Sequence, residues 1–365
     1  MSESSPSSLS LPFFYDLDPH RLLEEKEAYV PALAGQPPFR AKQLLSWLNR
    51  PLPEGVRFIS NLPKAITSDL EKTYSFALPV IKKEQVSNQD GSRKYLLALE
   101  DGALVEAVIM FYDYGASLCL STQVGCRMGC DFCASAPLGL RRQLRGGEIL
   151  AEYLLLQEYL HEKVGQDIRR IVLMGIGEPL DNLEAVVFFL RRVIEEEPFG
   201  LGLSARHITL STCGLVPGIR RLADEKLPIT LSLSLHAPTQ ALREKIMPIA
   251  RSYSLKEVFS ALEYYEKQTN RRISLEYALF TGINDAPSQA KALVKLIRSY
   301  PIQVHVNLIP GNPVPGKPYQ APDREQIYRF QGILDQAGIP VSVRRTLGQD
   351  IEAACGQLRR RALED

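Results

Sequence analysis

Apolar positions along the chain change their spacing twice, and each change marks a different kind of structure. Up to about Phe76 they recur at helical intervals. Arg40-Ala-Lys-Gln-Leu-Leu-Ser-Trp-Leu48 sets Leu44, Leu45, Trp47 and Leu48 toward one side, and Asn61-Leu-Pro-Lys64 reads as a loop entering a second helix that runs to about Thr73. Three strand patterns follow at Val80–Val86, Arg93–Leu99 and Ala103–Phe111. Their separators, Asn88-Gln-Asp-Gly91 and Glu100-Asp-Gly102, are turn-rich and predict an antiparallel meander. From Leu118 onward strands and helices alternate. Strands are expected at Leu118–Thr122, Arg170–Met174, His207–Ser211, Ile229–Leu235, Ile273–Leu279 and Val304–Ile309. Helical patterns occupy 147–163, 183–195, 216–225, 255–269, 288–300 and 323–337.

This alternation predicts a parallel sheet covered by helices, in an open or barrel-like α/β fold. Chemistry in such folds gathers where the strands end. The expected strand ends carry a cysteine cluster, Gly175-Ile-Gly-Glu-Pro179, Ser211-Thr-Cys-Gly214, Ser234-Leu-His-Ala-Pro238 and Asn307. Polar and glycine residues thus return to one rim, which predicts a single site.

Composition narrows the class. Of 365 residues, 45% are hydrophobic and 23% charged, the balance of a globular protein with ample core material. No stretch reaches the ~18 apolar residues of a membrane span, and the Ser-rich start lacks a cationic, then apolar, leader pattern. The expectation is a cytoplasmic monomer without a membrane partner. The net charge of +1 means that any nucleic acid must be held by local clusters, and the candidates are Arg141, Arg142 and Arg145, then Arg344 and Arg345, then Arg359, Arg360 and Arg361.

The six cysteines are Cys119, Cys126, Cys130, Cys133, Cys213 and Cys355. Three of them crowd into Cys126-Arg-Met-Gly-Cys130-Asp-Phe-Cys133, which reads as metal rather than disulfide chemistry. Thiolates suit iron–sulfur clusters or zinc, but zinc needs a fourth ligand and usually a second C-x2-C half, which is missing. Three thiolates hold three irons of a cubane and leave the fourth open to a small chelator.

The C-x3-C-x2-C spacing with Phe132 resembles the signature of the radical S-adenosylmethionine (SAM) superfamily. The resemblance implies a partial (β/α)6 barrel, a [4Fe-4S] cluster on Cys126, Cys130 and Cys133, and SAM held by Gly177, Glu178, Ser211, Ser234, Leu235, His236 and Asn307. Phe39-Arg-Ala-Lys-Gln43 with Trp47, Asn61-Leu-Pro-Lys64, Ser121-Thr-Gln-Val-Gly125, Asn307-Leu-Ile-Pro310 and Asp350-Ile-Glu-Ala-Ala-Cys-Gly-Gln-Leu358 extend the resemblance to the RlmN family over nearly the whole chain.

That family methylates carbon 2 of an adenine in 23S ribosomal RNA (A2503) and, in some bacteria, of A37 in tRNA. Carbon 2 is electron-poor and cannot attack SAM as a nucleophile, so a radical route is needed. The resemblance implies that Cys355 takes a methyl from one SAM, that a radical from a second SAM activates it, and that Glu106 removes the ring proton. Cys119 then resolves the adduct through a transient disulfide with Cys355, and a flavodoxin- or ferredoxin-type protein donates electrons. It divides the chain into a helical RNA-recognition part (1–77), an antiparallel β extension (78–115), the barrel (116–346) and a C-terminal segment with the methyl-accepting cysteine (347–365). Arg40, Lys42 and Lys64 are candidates for phosphate contacts, and Trp47 either stacks on a base or fills the core. Cys213 matches no catalytic role and reads as structural. The rivals are the sister family Cfr, which methylates carbon 8, a non-catalytic iron–sulfur RNA-binding protein, and a radical SAM activase.

Overall fold

The structure is a computed structural model that describes residues 11–313 and 316–353. Its helices are α1 (Pro19–Glu24), α2 (Lys26–Tyr29), α3 (Phe39–Leu45), α4 (Lys64–Thr73), α5 (Gly146–Val164), α6 (Leu183–Ile194), α7 (Val216–Asp224), α8 (Gln240–Ile246), α9 (Leu255–Thr269), α10 (Pro287–Arg298) and α11 (Arg324–Gln336). Its strands are β1 (Val80–Val86), β2 (Arg93–Ala98), β3 (Leu104–Tyr112), β4 (Gly115–Cys119), β5 (Gln123–Gly125), β6 (Leu140–Gln143), β7 (Ile168–Leu173), β8 (Ile208–Thr212), β9 (Thr230–Ser234), β10 (Ile273–Leu279), β11 (Val304–Pro310) and β12 (Val341–Val343).

Ten strands form one sheet in the order β1-β2-β3-β4-β7-β8-β9-β10-β11-β12. The first four pair antiparallel, and β4 then pairs parallel with β7 and starts the parallel run. The meander and the barrel therefore share one continuous ladder. Among the described residues β1 and β12 do not pair, so the barrel is partial. The mixed α/β architecture expected from the alternation is present. The periodicity did not foresee β12, the short β5–β6 hairpin or α8.

The parallel strands are apolar on both faces because helices cover their outside. Ile171, Leu173, Leu210, Leu231, Leu233, Leu275 and Val306 are fully buried or nearly so. α9 begins with a capping box in which Ser254 and Glu257 satisfy each other's backbone N–H groups. The N–H of Gly147 in α5 is capped from outside the helix by Asp16 Oδ1, at 2.7 Å.

The front helices belong to the same apolar core as the barrel. Arg192 on α6 joins them: it is 2% exposed and donates to Leu17 O, Leu48 O and Asn49 Oδ1 at 2.7–3.0 Å. Trp47 is half-buried, packs against this core and donates to Asn61 Oδ1 at 2.7 Å, so its ring edge is committed to the fold.

Glu152 on α5 lies in this core without exposure, and neither carboxylate oxygen has a hydrogen-bond partner. Burial, with the neighbouring Glu148 adding to it, holds its carboxyl well above the usual range, so it stays protonated at neutral pH. The unfolded chain ionises this group above about pH 4.3, and the folded state loses relative stability from there upward, by at most ~1.4 kcal/mol per pH unit. We expect Glu152→Met to raise the urea midpoint at pH 8 more than at pH 5.5. A gain that is equal at both pH values would contradict a buried neutral acid.

Candidate active site

The three clustered cysteines ride on the loop between β5 and β6. Gly125 closes that loop with φ +83°, and a Cβ there would lie 1.9 Å from Gly139 O. Only glycine permits this approach. The N–H of Cys126 donates to the same carbonyl at 3.0 Å, so the two ends of the loop are pinned together. Farther along, Asp131 N donates to Ile246 O at the end of α8, and its carboxylate accepts from Lys317 and from Tyr319 Oη. Phe132 packs edge-on against His236 and contacts Phe280 and Tyr319.

Cys126, Cys130 and Cys133 line a cavity of about 180 Å³ at the carboxyl ends of the parallel strands. Its walls include Gly177, Glu178, Ser211, Ser234, His236 and Asn312. Burial pushes the Cys126 thiol up to about 11 and raises Cys130 as well, with the neighbouring sulfurs adding to the effect. Only a strong Lewis acid would hold such thiols as thiolates. Among the described residues no three His, Cys, Asp or Glu side chains converge as ligands of one ion. In a cubane each thiolate takes its own iron, so an all-thiol donor set facing a polar cavity fits that group.

Glu178 is 3% exposed and its position is over-determined. Its Oε2 accepts from Cys213 N at 2.8 Å, its Oε1 from Leu180 N at 3.1 Å, and its own N–H donates to Gln123 Oε1 at 2.8 Å. Burial raises its pKa, against the lowering effect of these hydrogen bonds. Gly177 has φ +114°, and a Cβ there would meet Gln123 at 2.8 Å. Ser211 and Ser234 on adjacent strands touch at 3.3 Å. His236 Nδ1 accepts from Ala278 N at 2.9 Å, which leaves the proton on Nε2. Burial, and then Arg243, lower its pKa to about 3, so the imidazole is neutral.

Two of the expected cofactor residues are elsewhere. Leu235 is fully buried and does not line the cavity; its carbonyl accepts from Arg243 and from Ala237 N, and its N–H donates to Glu276 O. Asn307 faces a second, lower cavity in the barrel lumen; its Nδ2 donates to Ser274 Oγ and Glu276 Oε1 and its Oδ1 accepts from Ser342. Asn312, five residues further on, lines the cavity. The sequence signal for it was the Pro310-Gly-Asn-Pro313 turn, the place where the chain leaves β11.

Glu106 and Cys119 stand beside this cavity on the meander. In the ladders Glu106 faces Leu96 and Cys119 faces Val108, so Lys94, Glu106, Val108 and Cys119 share one face of the sheet. Lys94 Nζ lies 2.9 Å from Glu106 Oε1, with both side chains buried, and also donates to Glu352 O at 3.2 Å. Cys119 packs with Ile351 and Ala353, and with Met174, which also lines the cysteine cavity. The segment leading to residue 355 is thus fixed above Cys119 and Glu106. It is anchored by Asp90 to Gly348 N and by Asp350 to Ser87 Oγ and Asn88 N. Cys355 itself lies outside the described residues. Sequence reasoning missed Lys94.

The arginine clusters divide. Arg142 and Arg145 are taken up by Asp101, Glu148, Asp16 and Glu100, while Arg141 is exposed. Arg344 lies inside the barrel near Glu276 at 3.9 Å, Arg345 is exposed, and Arg359–Arg361 lie outside the described residues. Lys42 and Lys64 are exposed, and Arg40 is half-buried and bonded to Gln43. Cys213 lines the cysteine cavity and packs with Met128 and Cys130, so it is buried beside the site rather than remote from it.

This geometry can be set beside known proteins. The Radical SAM superfamily pattern matches residues 120–297. A crystal structure of a radical SAM methyltransferase from Sphaerobacter thermophilus superposes with a TM-score of 0.87 at 40% identity, covering 95% of this chain and 99% of that one. Fold, cysteine loop and neighbour together define a radical SAM methyltransferase.

Sequence relatives narrow the class further. A Clostridium botulinum protein named "Probable dual-specificity RNA methyltransferase RlmN" is 47% identical over 88% of this chain and 90% of its own length. A Symbiobacterium thermophilum protein of the same name is 46% identical over 93% of this chain and 90% of its own length. The chain belongs to the RlmN family of radical SAM RNA methyltransferases.

If Asn312 rather than Asn307 contacts the cofactor, Asn312→Ala will weaken SAM binding to the cluster-loaded protein by roughly tenfold, the worth of a buried hydrogen bond. Asn307→Ala should leave that affinity within about twofold. Equilibrium dialysis with labelled SAM compares them, and the reverse order would return Asn307 to the site.

Proposed function

We propose that this enzyme methylates carbon 2 of adenine in 23S rRNA (A2503), and of A37 in tRNA, through a methylated Cys355 and two molecules of SAM used in turn. The observation that carries this reading is the convergence on one face of the sheet of Glu106, Cys119 and the anchored segment that leads to Cys355. A binding protein or a protein-activating enzyme has no use for a buried carboxylate and a second thiol beside the end of its chain.

When bound, the cluster and SAM would supply a 5′-deoxyadenosyl radical, and the cluster would take back the odd electron left on the base adduct. Every other task falls to the protein. Glu178 and Asn312 offer acceptors to the SAM ammonium, and Gly177 lets the backbone come close. Cys355 carries the transferred carbon to the adenine. Glu106 then accepts the proton from carbon 2, and Lys94 holds its carboxylate in place. The Cys119 thiolate attacks the sulfur of Cys355; an S–S bond forms, the C–S bond to the base breaks, and the released carbon takes a proton to become the methyl group. Reduction of that disulfide restores both thiols.

The target base must be unpaired and extruded for carbon 2 to reach this face. Exposed Lys42 and Lys64 on the front helices offer phosphate contacts. A flavodoxin- or ferredoxin-type protein is the proposed electron donor. The proposed compartment is the cytoplasm; no helix among the described residues is long and apolar enough to cross a membrane.

The test is anaerobic turnover of reconstituted enzyme with SAM, reductant and unmodified rRNA or tRNA, followed by mass spectrometry of the digested RNA. We expect 2-methyladenine and none from Cys355→Ala; 8-methyladenine, or methylation of RNA by Cys355→Ala, would overturn the proposal. Lys94→Met is expected to slow RNA methylation by roughly 10²-fold, and by much more than it slows methylation of Cys355.

A further inference from the structure

Arg243 heads the large side chains that solvent does not reach at all. It projects from α8 behind the wall formed by Cys213, Ser234 and His236. All its hydrogen bonds go to main-chain carbonyls: Nε to Leu235 O at 3.3 Å, Nη2 to Cys213 O at 2.6 Å and to Ser234 O at 3.2 Å. Nη1 is buried and has no partner. No Asp or Glu among the described residues pairs with it. The contrast is Arg142, only half-buried, which is held by two carboxylates.

A guanidinium cannot shed its proton at physiological pH, and a buried charge without a counter-ion costs several kcal/mol. Arg192 is a second guanidinium held by neutral acceptors alone, but it joins the front helices to the core, whereas Arg243 holds the carbonyl of Cys213 in the wall of the cysteine cavity. Cys213, whose carbonyl it holds at 2.6 Å, packs against Cys130, one of the three clustered thiols. Arg243 does not line the cavity, so it does not touch SAM or RNA.

We propose that Arg243 is the buried counter-cation of the iron–sulfur cluster, a positioning residue that clamps the ends of β8 and β9 and sets its charge behind Cys130. This inference rests on the reading of Cys126, Cys130 and Cys133 as cluster ligands. A fixed positive charge favours thiolate ligation over thiol, and favours the one-electron-reduced cluster, which is more negative, over the oxidised one. The electron comes from the external donor; Arg243 changes no bond.

The test compares reconstituted wild type, Arg243→Lys and Arg243→Gln by redox titration monitored by electron paramagnetic resonance, without RNA. Lys and Gln both break the three-carbonyl clamp, but only Lys keeps the charge. The expected result is a midpoint potential that falls in Arg243→Gln and stays near wild type in Arg243→Lys. Equal shifts in both variants, or none in either, would sink the proposal.

Thermal unfolding of iron-free protein covers variants that take up no cluster. Without its anion the charge gains nothing, so iron-free Arg243→Lys and Arg243→Gln, which both break the clamp, should melt alike. A much larger loss in Arg243→Gln than in Arg243→Lys without iron would tie the charge to the fold itself and overturn the proposal. Failure of the wild type itself to bind a cluster would instead remove the reading beneath it.

Discussion

A backbone contact between two glycines governs the site. Where Gly125 meets Gly139 no Cβ fits, and the pinch turns the intervening loop inward so that its three sulfurs face the ends of the parallel strands. Without the left-handed turn at Gly125 the cysteines would remain close in sequence but would not share a cavity with Glu178, Ser211 and Ser234. The loop is then secured on its far side by Asp131, which ties it to Lys317 and Tyr319 and, through its N–H, to α8. The cavity therefore depends on contacts from both sides of the barrel opening.

Much of this was legible in the sequence because it rests on local rules. Alternating strand and helix periods placed the parallel strands and the long helices within a few residues, and the turn-rich separators placed the meander. The rim argument brought the cysteines, Gly177, Glu178, Ser211, Ser234 and His236 to one end. It failed at Asn307, which was read as the end of a strand but lies in the middle of β11 and faces the second cavity. A strand's two-residue alternation decides which way a side chain faces, and resemblance at the end of β11 did not resolve Asn307 from Asn312.

What the sequence could not show is long-range pairing. Nothing local distinguishes Lys94 from any other cation on a strand, because its meaning comes from the register that sets it diagonally across from Glu106. Arg243 likewise reads as one more charge on a short helix until burial shows that it has no carboxylate. Arg142 and Arg145 looked like an RNA patch because they are close in sequence, and prove to be the centre of an internal ion network with Glu148. Cys213 was assigned to packing, and does pack, but against Cys130.

The anchors of the carboxyl-terminal segment all lie on one hairpin. Asp90, Ser87 and Asn88 come from the β1–β2 turn and Lys94 from the start of β2. The described end of the segment, from Gly348 to Glu352, is thus hydrogen-bonded to the outermost ribbon of the sheet and not to the wall that contains the cysteine pocket. Exchange of that ribbon between relatives is a route by which the course of this segment can diverge while the cysteine cavity stays the same.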